Sequence, residues 1–154
     1  MTATNAADLV SLHYISSIDT VTTLERRNYA LFLKKYLDDA DEPLEHLLRA
    51  VDYAVSKYPH QGGFLLAARL DGQTVGVCVM NYTHMSGYLP ENVLVYLVVH
   101  RDHRRQGVGR KLIKKALQMA KGEVAVRITA DNPARAVFER YGFTRGYLEL
   151  RRPN

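Results

Sequence analysis

The run HRDHRRQGVGRK, from His100 to Lys111, holds the residue types and spacing most suited to chemistry. Gly107 and Gly109 stand two residues apart, and glycines let a ligand approach the backbone closely. Around them lie Arg104, Arg105, Gln106, Val108, Arg110 and Lys111, at the point where Val108, Leu112, Ile113, Ala116, Leu117 and Ala120 begin the apolar stripe of a helix. A helix N-terminus already carries about +0.5 elementary charge, so each cation placed there is unfavourable by roughly 0.3–1 kcal/mol. Several cations at one N-terminus make sense when a polyanion supplies the compensating charge. Unpaired backbone N–H groups flanked by arginines then form a phosphate site. The plain alternative is a solvated basic helix start. The spacing is neither GxGxxG nor GxxxxGK[ST], which excludes the dinucleotide and P-loop readings.

The elements that must position this segment can be read from hydrophobic period. Residues 10–16 suit an opening strand, and residues 21–37 carry apolar residues at helical turn spacing. Leu44, Leu47, Leu48, Val51, Val55 and Tyr58 predict a second helix, with Pro43 in its first turn, Asp41 as its cap and Pro59 as its stop. Residues 64–70 and 74–82 read as strands joined by the hairpin pair Asp71-Gly72. Residues 83–91 read as a loop, and residues 93–99 as a strand covered on both faces. After the helix that starts at Val108, Val124, Val126 and Ile128 alternate as a strand. Asn132-Pro133 opens a short helix, with Ala134, Val137, Phe138 and Tyr141 facing inward and Gly142 as its stop. FTRGYLELRR reads as one or two terminal strands. The predicted order is β-α-α-β-β-β-α-β-α-β, an α/β fold with a mixed central sheet and flanking helices.

Composition sets the outer bounds. A chain of 154 residues with 47% hydrophobic and 24% charged residues is expected to form one domain, residues 1–154, with a substantial core. The N-terminus has no basic region followed by an apolar run, and no stretch of about 18 apolar residues occurs, so neither signal peptide nor membrane partner is expected. Cytoplasmic is the default expectation. The lone Cys78 can make no internal disulfide, and no second cysteine is present for zinc, so no metal is expected. Net charge is +5, and its distribution says more. Between Arg101 and Arg127 lie nine Lys or Arg residues against Asp102 and Glu123, whereas Asp38, Asp39, Asp41, Glu42 and Glu45 form an acidic stretch. A basic patch this local predicts an anionic partner at one place. A nucleic-acid binder would share the charge, but it lacks a helix-turn-helix, RNA-binding or zinc signature, and its arginines gather at a helix start.

The run VYLVVHRDHRRQGVGRKLI resembles motif A of the GCN5-related N-acetyltransferase (GNAT) superfamily, whose signature is [QR]-x-x-G-x-[GA]. Arg104, Gly107 and Gly109 fill its three fixed positions. The run NPARAVFERYGF, residues 132–143, is similar to motif B, which typically ends in GF. The order of elements matches over nearly the whole chain. The resemblance implies acetyl-CoA as acyl donor and a primary amine as acceptor, joined by direct attack in a ternary complex. In such enzymes the strand before motif A splays from the strand after its helix and bonds the pantetheine arm, which here assigns Leu97, Val98 and Val99. The segment 104–109 would hold the pyrophosphate, with Arg110 and Lys111 nearby. Asn132, Arg135 and Phe138 fall in the motif B region beside the cofactor. For Asn132 a helix cap is an equal reading, and for Arg135 a solvated face.

Direct attack needs a base for the amine, a donor for the oxyanion and an acid for the leaving thiolate. A backbone N–H of the strand ending at Val99 suits the oxyanion. The family commonly has Tyr four residues before the GF glycine as acid, and here that residue is Phe138. Tyr141 is the neighbouring phenol, with core packing as its other reading. Family members often carry Glu or Asp where this chain has Val95 and Tyr96, which leaves His84 and Glu91 as the nearest bases, with a surface or packing role as the other reading of each. His100 and His103 are expected to shape the loop. The acidic stretch suits a cationic acceptor or is simply a solvated turn, and Tyr82, His84, Met85 and Tyr88 offer an aromatic wall or are ordinary loop residues. A homodimer is among the expected assemblies. A catalytically idle acyl-CoA sensor remains the alternative, because Phe138 has no proton to give.

Overall fold

The computed structural model describes residues 6–38 and 41–154, so Asp39 of the acidic stretch lies outside the described residues. A short helix that the periodicity did not announce, α1 (Ala6–Leu9), precedes β1 (Ser11–Ile15). The helix α2 (Thr23–Tyr36) begins with a reciprocal cap: Thr22 Oγ1 accepts the Glu25 N–H at 3.1 Å, and Glu25 Oε2 accepts the Thr22 N–H at 2.9 Å. The helix α3 (Leu44–Ala54) has Pro43 rather than Asp41 at its cap position, with no side-chain cap bond. It also stops before Pro59. The Ser56 Oγ accepts the Tyr58 N–H at 3.1 Å, a local bond that competes with helical pairing, and Tyr58 is left exposed.

The strands β2 (Gly63–Leu70) and β3 (Gln73–Tyr82) meet at Asp71-Gly72, whose φ values of 52° and 79° are those of a type I′ hairpin turn. Then follow β4 (Asn92–Val99), a 3₁₀ turn at Arg101–His103, α4 (Val108–Met119), β5 (Val124–Val126) and α5 (Arg135–Arg140). The strands lie in the order β1-β2-β3-β4-β5, antiparallel except for the parallel β4–β5 pair. A parallel pair needs a long crossover, and α4 supplies it.

Period-2 alternation in the central strands sorts the core onto two faces. Phe64, Leu66, Ala68, Cys78 and Met80 meet Val108, Leu112, Ile113 and Ala116 of α4 and Phe138 of α5. Leu65, Ala67, Val77 and Val79 meet Leu33 of α2 and Leu47, Val51 and Ala54 of α3. Gly76 sets how closely α4 docks, since a Cβ there would lie 2.9 Å from Leu112 Cδ1 and 3.3 Å from Val108 Cγ1.

The terminal segment departs from expectation. Residues 143–154 carry no strand pairing, and Tyr147, Leu148 and Leu150 are exposed. Alternation supplies a strand's side chains but not its partner. The tail meets the chain beyond the three-residue β5 through an exposed pair, Arg127 Nε to Glu149 Oε2 at 3.1 Å. Among the described residues no helix is long and apolar enough to cross a membrane.

Candidate active site

The strand β5 follows β4 only through Asn92–Val124, Val93–Ala125 and Leu94–Val126. Beyond Leu94, β4 continues to Val99 with no strand on that side among the described residues. The His100 N–H donates to the Val75 carbonyl of β3 at 2.8 Å. Counting back by the antiparallel alternation, Val98 turns its backbone groups toward β3, whereas Leu97 and Val99 turn theirs into the gap. An edge of this kind can bond an extended, amide-bearing chain as a further strand would.

The gap leads into the loop at the start of α4. Gly107, at the N-cap, has φ 88°, and Arg105 has φ 62°, a left-handed conformation uncommon for a residue with a Cβ. Such turns aim consecutive N–H groups into one concavity, where an anion binds. Gly109 lies in the first turn, and a Cβ on it would make only ordinary contact, 3.7 Å from Val99 Cγ2. Nothing in the fold demands glycine there, so the open space beside it is available to a ligand.

The basic side chains divide into two groups. Arg104 reaches back across the β4 terminus: its Nε donates to the Val99 carbonyl at 3.1 Å, Nη2 to the Tyr36 carbonyl at 2.6 Å and Nη1 to Asp38 Oδ1 at 3.1 Å. Lys111 Nζ donates to the carbonyls of Ala7 and Val10 at 3.0 and 2.6 Å, tying α4 to the end of α1. These two cations brace the loop. Among the described residues Arg105 and Arg110 make no such ties. His100 caps the 3₁₀ turn, its Nδ1 accepting the Asp102 N–H at 3.0 Å, and its ring packs against Tyr36 and His103.

Motif B folds as a stop signal. Gly142, with φ 91°, sends its N–H to the Glu139 carbonyl, and the Phe143 N–H returns to the Phe138 carbonyl at 3.2 Å. That is a Schellman motif, and the Phe138–Phe143 ring contact at 5.4 Å is its hydrophobic clasp. Phe138 is therefore core, 3% exposed. Asn132 Oδ1 accepts the Ala134 N–H at 2.8 Å, a cap on the turn before α5, and Arg135 pairs with Glu139 at 2.7 Å. The Tyr141 hydroxyl lies 3.5 Å from the Arg110 carbonyl, at the outer limit of a hydrogen bond, beside the first turn of α4.

The two expected bases stand apart from the gap. His84, exposed and at φ 59°, binds the Gln61 carbonyl at 3.0 Å in the loop after β3. Both oxygens of Glu91 are engaged, Oε2 by the Glu123 N–H at 2.7 Å and Oε1 by Ser86 Oγ at 3.2 Å. Its pKa is lowered by bonds from its own backbone N–H and from that of Glu123, which weakens it as a base. Burial pushes the Cys78 thiol up to about 12, so this cysteine is core rather than nucleophile.

One constellation is missing from the sequence reading. The β3–β4 register places Val79 opposite Tyr96 and Met80 opposite Leu94, so Val95 is the extra residue of a β-bulge. Val95 and Tyr96 consequently both pack on the face of α2 and α3. The Tyr96 hydroxyl donates to Glu42 Oε1 at 2.8 Å, and His46 Nδ1 lies 3.3 Å from the same oxygen. The four-residue spacing of Glu42 and His46 was visible in the sequence; the bulge that aims Tyr96 at them was not. Two surface hollows, of about 340 and 620 Å³, have lining residues outside β4 and the loop, so neither coincides with this cleft.

A family model described as the acetyltransferase (GNAT) family matches residues 22–143. Among solved structures, the aminoglycoside N-acetyltransferase AAC(6')-Iy in complex with CoA is 15% identical with a TM-score of 0.64, over 94% of this chain and 95% of that one. An aminoglycoside acetyltransferase from an uncultured soil metagenomic sample gives 20% identity and a TM-score of 0.63, over 94% and 98%. The ribosomal-protein-alanine N-acetyltransferase from Brucella melitensis biovar Abortus 2308 gives 18% and 0.61, over 94% and 99%. At such identities the likeness shows the shared fold. No curated protein sequence matches the chain.

Proposed function

The chain belongs to the acetyltransferase (GNAT) family, and on that premise we propose that it moves an acetyl group from acetyl-CoA to a primary amine by direct attack in a ternary complex. The observation that carries the reading is the continuity of β4's open edge with the left-handed loop at the start of α4. The Leu97 carbonyl and the Val99 N–H bond the pantetheine arm. The N–H groups of residues 105–109 receive the pyrophosphate at the positive end of the helix, and Arg105 and Arg110 add charge. Arg104 and Lys111 hold the loop in shape rather than neutralise phosphate. An N–H of Leu97, turned into the gap, stabilises the tetrahedral oxyanion. Phe138 has no proton to give and lies in the core, so the thiolate leaves without a dedicated acid. With an unperturbed thiol pKa of about 8.5 it is a tolerable leaving group at neutral pH.

The acceptor in this reading is a cationic amine, drawn by the carboxylates Asp38, Asp41 and Glu42 between α2 and α3 and by Glu45 in the first turn of α3. Two of the structural neighbours above are aminoglycoside acetyltransferases, which supports that class alongside polyamines. The test is thiol release from acetyl-CoA in the presence of spermidine, kanamycin, free lysine and an alanine-initiated peptide. Turnover of the polycations ahead of the peptide is expected. Tight cofactor binding with no turnover of any amine would favour the sensor reading instead.

A further inference from the structure

The geometry points to Glu42 as the group that takes the acceptor's proton, held in place by Tyr96 and His46. This assignment rests on the acetyl-transfer reading above. The β-bulge at Val95 is the first observation: it turns Tyr96 onto the α2/α3 face at the level where β4 loses β5. Bulges beside active sites re-aim a side chain in this way. The second is the convergence on one oxygen. Both the Tyr96 hydroxyl and His46 Nδ1 approach Glu42 Oε1, at 2.8 and 3.3 Å. Oε2 makes no hydrogen bond or ion pair with a described residue and is left for a ligand. The third is rigidity of the carboxylate's backbone, since Lys34 Nζ donates to the Glu42 carbonyl at 2.6 Å. The side chain is a quarter exposed, so an acceptor can reach it.

The step balances as follows. The ammonium of the acceptor gives one proton to Glu42 Oε2, directly or through one water. The freed nitrogen pair attacks the thioester carbonyl, forming the C–N bond and placing the electron pair on oxygen. Collapse re-forms C=O and breaks C–S, and the sulfur leaves with its pair. The second nitrogen proton passes through water to that thiolate, and Glu42 returns its proton to solvent past the exposed His46. The net products are the amide, the free thiol and one proton. Tyr96 and His46 are positioning residues here, and Glu42 touches the substrate.

The test uses Glu42→Gln, Glu42→Asp and Tyr96→Phe, each assayed with spermidine and kanamycin as acceptors and each titrated with acetyl-CoA by calorimetry. Glu42→Gln is expected to lower kcat by about 100-fold or more, the usual worth of a general base, with acetyl-CoA affinity unchanged. Tyr96→Phe should lower kcat by about tenfold at similar acceptor KM, and Glu42→Asp should recover part of the lost rate. A kcat for Glu42→Gln within a few-fold of the parent would overturn the assignment. So would an equal loss in acetyl-CoA affinity, which would mark a structural role, or a parent that binds acetyl-CoA and acetylates neither acceptor. A parent that fails to bind acetyl-CoA would bring down the donor site itself, a distinguishable result.

Discussion

Arg104 shows how far a residue's task can differ from the one its motif position suggests. Its guanidinium joins the end of β4 to the end of α2 through the Val99 and Tyr36 carbonyls. Arg104→Ala would leave these part-buried carbonyls to find other partners, and we expect a loss of about 1–3 kcal/mol in chemical denaturation. Its weaker acetyl-CoA binding should follow from the loosened loop, so adding salt would not erase the difference between variant and parent. Glu91 gives a prediction with a pH sign. Its folded-state pKa is lowered, so the stability it contributes is present above the unfolded value of about 4.3 and fades as pH falls through the folded value. Glu91→Gln should therefore flatten the acid side of a melting-temperature-against-pH curve. An unchanged curve would mean that the bonds to Ser86 and Glu123 contribute nothing. Phe138→Tyr places a hydroxyl in the core; a loss of about 1–3 kcal/mol with no gain in kcat is expected.

At the scale of elements, local chemistry was legible wherever a signal and its structural answer lie within a few residues. Asp71-Gly72 made a hairpin, residues 93–99 made a strand, though only Leu94 and Val98 of that run are fully buried, and the GF ending of motif B closed α5 as a Schellman motif. Gly142→Ala tests the last of these: its Cβ would meet no neighbour, so the cost is that of holding a side chain at φ 91°. That is about 1–2 kcal/mol, or a melting point lower by roughly 2–8 °C. A thermal scan that shows no change would contradict the motif's role. Signals failed where the answer depends on a distant partner. The alternation of FTRGYLELRR suggests a strand, but no neighbouring strand pairs with it. The early end of α3 turns on Ser56, which competes for a backbone N–H. The bulge at Val95 depends on the register of β3 against β4, which no run of residues within β4 reveals.

For the molecule as a whole, charge is segregated along the chain, and the fold brings its two ends of the scale together at β4. The basic stretch opens at the C-terminal end of that strand, and the acidic turn between α2 and α3 reaches Tyr96 beside its bulge. The proposed donor half of the site was readable because glycine spacing, cations and a helix start occupy one short run. The proposed acceptor half was not, because Glu42 and His46 stand four residues apart at the start of α3, whereas Tyr96 comes from β4 and reaches them only through the fold. The central claim is that β4's open edge and the loop at α4 hold acyl-CoA. The most direct measurement is a calorimetric titration of acetyl-CoA into the parent and into Gly109→Glu. Gly109 accepts a Cβ without a clash, and an acid in the first turn suits the helix dipole, so the variant should fold. Saturable one-site binding by the parent, abolished in a variant with an unaltered melting temperature, is the predicted result. Equal affinity in the two proteins, or no binding by the parent, would contradict it.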